Sequence, residues 1–345
     1  MSQRDGGSII GEVLAEHGVQ FLFTLCGGHI SPILVSAKQR GIKVVDVRHE
    51  VNAVFGADAV ARMTGTTGVA AVTAGPGVTN TVTAVKNAQM AQSPLLIFGG
   101  ATATVLKGRG SLQDIDQLSI MKPITKWATA IKTVAAIEPT VRKALELARS
   151  GVPGPVFVEV PVDLLYSEAI VREWYIKESG VEHAKGIGAK ALELYLRGHL
   201  YRQFHAPHIN LELPFAPVRN ALRRVNGSIH EAAQVLRNAQ KPVLVIGSQA
   251  LVNVREAEQV ADAVRALGIP TFLGGMARGL LGRESDIQFR HARSKALKEA
   301  DAVVIAGFPF DFRLGYGRSI NSKATLIAAN LSAHDLRKNR KPDIA

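Results

Sequence analysis

The sequence predicts an α/β protein built from two doubly wound parallel sheets, and three observations carry that prediction. Short apolar runs bounded by glycine alternate with segments of helical period, and strand, helix, strand in that order implies crossovers between parallel strands. The alternation occurs twice, over 1–166 and again over 226–345, on either side of a compositionally different segment at 167–225. The chain has 345 residues and is 47% apolar, which is ample for large cores and unlike a disordered composition.

In the first region 21–25, 43–47, 69–73, 94–98 and 156–160 read as strands buried on both faces, since each is a continuous apolar run. Helical patterns lie between them at 9–17, 51–63 and 79–92. Pro153-Gly154-Pro155 and Pro161 bracket the last strand, so the first domain closes near Tyr166. Residues 167–225 read as a linker with one amphipathic segment, 189–204, followed by a stretch from His205 to Pro217 rich in proline and polar groups. Tyr195, Leu196, Leu200, Tyr201 and Phe204 among Arg197 and Arg202 suit a strap across the domain surface, or else a helix for a membrane surface or a partner. From Ser228 the second region runs helix 229–238, strand 242–246, helix 254–267, strand 271–273, helix 292–300, strands 302–306 and 325–329, and helix 333–339. It ends at Lys341-Pro342-Asp343-Ile344-Ala345, which reads as a loop leading into a strand, so the chain is expected to stop between domains.

Composition narrows the function classes. The net charge of +12 sits in the second half: residues 1–170 carry 15 basic and 13 acidic side chains, and 171–345 carry 26 and 16. Such an excess suits nucleic acid, a phosphate-rich small molecule or an acidic partner. Aromatics make up only 6% and no basic stripe is interleaved with them, which argues against nucleic acid. No run of eighteen apolar residues occurs, and Met1-Ser2-Gln3-Arg4-Asp5 lacks the layout of a signal peptide, so no transmembrane segment and a cytoplasmic location are expected. Cys26 is the single cysteine, so no intrachain disulfide forms, and no Cys/His cluster has metal spacing. Beside Gly27-Gly28 it reads as a small core residue or a reactive thiol.

The most specific stretch runs from 45 to 80, where a strand ends in Arg48-His49-Glu50 and, one βα unit later, Thr73-Ala74-Gly75-Pro76-Gly77-Val78-Thr79-Asn80 follows. Taken alone, Glu50 is an acid at a helix N-terminus, a placement favourable for dipole reasons. Two glycines around a rigid proline let backbone approach a flat ring, and Thr79 or Asn80 can cap the next helix or bond a ligand. The pairing is what is specific: thiamine diphosphate needs one carboxyl group in an apolar pocket, bonded to its pyrimidine N1′.

In content, order and spacing these pieces resemble the pyrimidine-binding domain of the acetolactate synthase family of thiamine-diphosphate-dependent enzymes. The resemblance rests on 23–28, Arg48-His49-Glu50, 57–65, 73–80 and 151–156 and covers residues 8–165. Segments 28–32, 86–94 and 274–282 are most similar to its acetolactate synthase-like subgroup, the 2-hydroxyacyl-CoA lyase 2 type.

The resemblance implies a pyrimidine-binding domain over 1–166, a linker with one helix over 167–225, and a Rossmann-like central domain over 226–345. It makes Glu50 the catalytic N1′ carboxyl group and places Gly28, Thr73, Gly75 and Asn80 along the cofactor. It sets Gln113 facing the reacting carbon, where a solvent-facing loop amide is the alternative, and Leu112 stands where many relatives have phenylalanine. His29 could touch substrate. The central domain would hold FAD or ADP near 247–249, 274–279 and 311–314, with Arg278 and Arg313 for phosphates, or an empty crevice. Family members anchor the diphosphate and Mg²⁺ with a Gly-Asp-Gly followed by an asparagine in a third domain. No Gly-Asp-Gly occurs in this sequence, so the metal ligands are expected outside it. The implied function is the front part of a carbon–carbon lyase or carboligase acting on a 2-keto acid or a 2-hydroxyacyl-CoA. It would be inactive without that third domain and would work as a homo-oligomer or with a chain supplying it. Two alternatives are a non-catalytic subunit or remnant pairing with a complete homologue, and a plain nucleotide-binding protein.

Overall fold

The computed structural model describes residues 5–180, 186–207 and 221–345, with backbone only over 221–227. Met1 to Arg4 and most of the stretch between His205 and Pro217 lie outside the described residues. The described residues up to Pro207 form one compact unit and those from Ala221 another.

The first unit runs α1 (Gly6–Glu16), β1 (Phe21–Leu25), α2 (Ser31–Gln39), β2 (Lys43–Asp46), α3 (Glu50–Thr64), β3 (Gly68–Val72), α4 (Pro76–Thr79), α5 (Val82–Ala91) and β4 (Leu95–Ala101). It continues with α6 (Gln117–Met121), β5 (Trp127–Ala130), α7 (Ile137–Arg149), β6 (Pro155–Pro161), α8 (Glu168–Ser179) and α9 (Ile187–Phe204). All six strands are parallel in the order β2-β1-β3-β4-β6-β5.

Successive side chains of β4 point to opposite faces, and both are covered. Leu96 and Phe98 join Ile10, Leu14 and Val141 beneath α1 and α7. Leu95 and Ile97 join Val54, Val85 and Phe157 beneath α3 and α5. Burial on both faces is what turns these strands into continuous apolar runs.

Three local expectations are corrected, and one strand was not foreseen. β2 is not buried on both faces: it is the edge strand, and Lys43 and Asp46 are exposed. The helix expected over 79–92 begins later, as α5 at Val82, after the short α4 at Pro76–Thr79; between them the Thr81 hydroxyl donates to Val78 O at 2.6 Å. The helix expected from 254 starts as a 3₁₀ turn at Val254–Glu256, and α11 (Ala257–Leu267) follows. β5, short and at the opposite edge, has no long apolar run to announce it.

The linker with one helix expected over 167–225 is corrected: α8 and α9 are two helices, both packed on the first unit, and the next helix already begins at Ala221. Val171, Tyr175, Leu196 and Leu200 are buried together against Ala103 and Val105. A polar knot fastens them. The fully buried Asp163 carboxylate accepts bonds from Thr104 N–H (3.1 Å), Thr104 Oγ1 (2.6 Å), Tyr175 O–H (2.6 Å) and Gln203 Nε2 (2.8 Å). His199 Nε2 adds a contact of 2.7 Å to Thr104 Oγ1. Burial, with the Asp163 charge behind it, pushes the Tyr175 phenol pKa upward, so the phenol stays a donor.

The second unit consists of α10 (Ala221–Asn238), β7 (Pro242–Ile246), α11, β8 (Thr271–Leu273), α12 (Arg293–Glu299), β9 (Ala302–Ala306), β10 (Thr325–Ala329) and α13 (Ala333–Arg337). Its four strands are parallel in the order β10-β9-β7-β8. Val243, Val245, Val303 and Ile305 fill one face, and Leu244, Ile246, Ala261 and Val264 the other. The expected fold class, two doubly wound parallel sheets, is the one observed.

Candidate cofactor site at the switch point of the first sheet

In the order β2-β1-β3-β4-β6-β5 the crossover leaving β1 runs to one edge and the crossover leaving β3 to the other. The loops after β1 and β3 diverge and open a crevice at the carboxyl ends of the strands. Glu50, Thr73, Gly75, Asn80 and Gln113 are brought together there.

Glu50 is the first residue of α3, whose N-cap His49 accepts the Val51 N–H at 3.2 Å. Only 7% of Glu50 is exposed. Its Oε2 accepts from Asn80 Nδ2 at 3.0 Å, whereas Oε1 accepts no hydrogen bond from any described residue. A Cβ on Gly77 would stand 3.6 Å from that Oε1 and 2.8 Å from Thr73 Cγ2. One carboxyl oxygen is thus anchored, and the other faces a floor formed by the Gly77 backbone and the Thr73 side chain. An acid so held can bond a nitrogen in the plane of a flat ring lying on that floor.

Gly75 makes the floor possible. It adopts φ +62° and ψ −112°, a combination glycine enters without a Cβ penalty, and its N–H donates to Gln117 Oε1 at 3.0 Å. Gln113 lies directly against it: a Cβ on Gly75 would come within 2.8 Å of Gln113 O and 3.0 Å of Gln113 Cβ. Gln113 itself sits at φ +62°, rare for a side-chain-bearing residue, and Leu112 beside it is 78% exposed. We expect Gly75→Ala to cost ~1–3 kcal/mol in backbone strain and to push the Gln113 loop away. Chemical denaturation measures the first effect, and faster tryptic cleavage after Arg109 the second.

Thr73 Oγ1 meets His29 Nδ1 at 3.2 Å. Burial lowers the His29 pKa and keeps the ring neutral near pH 7. Gly28 lies at the rim: it is exposed and nothing stands within 4 Å of its missing Cβ, so packing does not demand a glycine there. Cys26 is corrected, since it is exposed and not a small core residue; its N–H points to Asp46 Oδ1 at 3.4 Å.

Three residues behind the turn escaped the sequence reading: Gln117, Glu159 and Lys107. Gln117 Nε2 donates to Gly100 O and to Glu159 Oε2, both at 3.0 Å, and Lys107 Nζ pairs with Glu159 Oε1. A signal was present, because Glu159 is the one charged residue in the apolar run 156–160.

In the second unit the segments singled out also follow β7, β8 and β9. Arg278 is exposed. Arg313 is engaged within the protein: its guanidinium forks onto Asp311 at 2.6–3.1 Å and lies 4.6 Å over the Phe308 ring. Among the described residues no group of three His, Cys, Asp or Glu side chains could hold a metal ion, and no helix is long and apolar enough to cross a membrane.

Comparison with known proteins bears directly on this site. Residues 4–120 match the family model described as thiamine pyrophosphate enzyme, N-terminal TPP binding domain, and residues 229–345 match the thiamine pyrophosphate enzyme central domain. The chain belongs to the thiamine pyrophosphate enzymes. Among similar proteins of this family are 2-hydroxyacyl-CoA lyase 2 of Danio rerio, 50% identical over 100% of this chain and 55% of the relative, and that of Caenorhabditis elegans, 52% identical over 99% and 52%. An acetolactate synthase large subunit of Mycobacterium tuberculosis is 33% identical over 94% of this chain and 52% of its own. The chain spans about half the length of the curated relatives it matches. Its two sheets are the N-terminal and central domains of a thiamine pyrophosphate enzyme.

Proposed function

We propose that this chain supplies the pyrimidine side of a thiamine-diphosphate site in a carbon–carbon lyase of the 2-hydroxyacyl-CoA type. The observation that carries the reading is Glu50: buried, fixed through one oxygen by Asn80, and open through the other over the Gly77 floor. Bound thiamine diphosphate supplies the carbon nucleophile and electron sink for breaking or making a bond beside a carbonyl. Glu50 holds a proton at the pyrimidine N1′, and Asn80 keeps the carboxyl group from turning away. Thr73, Gly75 and Gly77 shape the floor, and Gly28 borders it. Gln113, on its strained loop, donates to an oxygen of the substrate.

The domain division follows from this reading: 1–166 binds the pyrimidine, 226–345 is the central domain, and 167–225 connects them and braces the first. Mg²⁺ and the diphosphate would be held by residues outside this sequence, which has no Gly-Asp-Gly, on a second copy of the complete protein or another chain. Neither FAD nor ADP is assigned, because Arg313 is committed to Asp311. One cysteine in 345 residues suits a reducing, cytoplasmic compartment.

The likeness of about 50% to 2-hydroxyacyl-CoA lyases favours that substrate class over 2-keto acids. Purified with a diphosphate-binding domain present, the protein is expected to cleave a 2-hydroxyacyl-CoA to an aldehyde and formyl-CoA and to leave pyruvate unchanged. Formation of acetolactate alone overturns the substrate class. No turnover of either, together with stable co-purification of a larger homologue, favours a non-catalytic subunit.

A further inference from the structure

We propose that Lys107, Glu159 and Gln117 form a positioning relay that fixes the Gly75 peptide and clamps the loop bearing Gln113 against the cofactor floor. The proposal rests on the pyrimidine-site reading and adds residues which that reading does not use.

The chain of contacts is continuous. Gly75 N–H donates to Gln117 Oε1 at 3.0 Å, Gln117 Nε2 donates to Glu159 Oε2 at 3.0 Å, and Glu159 Oε1 pairs with Lys107 Nζ. Gln117 and Glu159 are 2% and 1% exposed, whereas the Lys107 side chain is 46% exposed. A carboxylate taken out of water costs several kcal/mol unless it is paired and hydrogen-bonded. Lys107 supplies that charge from the surface, while Gln117 and the peptide of Gly75 align behind it.

The topology gives the relay a purpose. Lys107 and Gln117 flank Gln113, one on each side of the loop that follows β4, and both end on the single carboxylate of β6. The loop is pinned at two points around the residue that presents its amide beside Gly75. Gly75 needs the support, because its φ and ψ fall outside the ordinary helical and extended wells and a glycine peptide turns easily. Gln117 accepts its N–H and also donates to Gly100 O, so the amide cannot flip without losing all three bonds.

Amide exchange read by mass spectrometry over 74–80, with tryptic cleavage after Arg109, tests the relay on the chain itself. Gln117→Leu is expected to exchange roughly tenfold faster at this turn and to be cut faster at Arg109. Lys107→Met, a change at the surface, should shift both readouts in the same direction. Lys107→Arg, which keeps the charge and can still reach Glu159, should keep the cleavage rate at that of wild type. Unchanged exchange in Gln117→Leu and Lys107→Met overturns the relay, as does failure of Lys107→Arg to keep that rate. The cofactor reading fails separately, if saturating thiamine diphosphate does not slow exchange over 74–80 in the wild-type protein with its diphosphate-binding domain.

Discussion

Replacing Glu50 by glutamine is expected to lower turnover by roughly 10²–10⁴-fold, the usual worth of a positioned proton-transfer group, with little change in folding stability. The amide matches the carboxyl group in volume and can still accept from Asn80 Nδ2, the 3.0 Å contact that holds the side chain. What it loses is the proton that the open oxygen shares with a ring nitrogen over Gly77. The measurement is kcat at saturating thiamine diphosphate, with a thermal melt of the same sample. Turnover within about threefold of wild type, well short of a general acid–base contribution, removes Glu50 from the chemistry and with it the proposed function.

The largest loss of stability is expected from Phe157→Ala, about 3–5 kcal/mol. Phe157 is fully buried on β6 in the face beneath α3 and α5. Its ring stands 2.5 Å from where a Cβ on Gly99 would lie, and Val78, at the end of the Gly75 turn, reaches the same point. Removing the ring leaves a cavity between two strands and under the candidate site, which close packing cannot fill. Urea denaturation should show a lower midpoint, and Met63→Ala, 75% exposed on α3, should stay within about 0.5 kcal/mol as the control. A Phe157→Ala variant as stable as that control would mean that the face repacks around the gap.

Much of the fold was legible because doubly wound sheets write themselves plainly. A strand covered on both faces is apolar at nearly every position, so β3, β4 and β6 stand out as runs despite the one charge at Glu159, and β1, β7 and β9 are almost as plain. Edge strands lack that constraint. β5 stays partly exposed along Trp127–Ala130 and so carries no run to read. α2 was missed for another reason: it is nine residues long, and only Ile33, Leu34, Ser36 and Ala37 are buried. The separation of α4 from α5 lies at Asn80 and Thr81, which keep helical backbone angles, so periodicity does not register it.

The candidate site divides in the same way. An acid at the end of a strand, followed by Gly-Pro-Gly and an asparagine, is a chemical statement that sequence order preserves, because each piece lies at the end of its own βα unit. From sequence alone came two parallel sheets, the pairing of Glu50 with the Gly75–Asn80 turn, and the family they resemble. Only the tertiary structure decided that Asn80 locks the Glu50 carboxyl group, that Gln113 is strained against Gly75, and that a lysine, a buried glutamate and a glutamine brace that turn from behind. The reason is geometric: these contacts join residues 30 to 52 positions apart that meet only after the crossovers bring the carboxyl ends of β2, β3, β4 and β6 to one edge of the sheet.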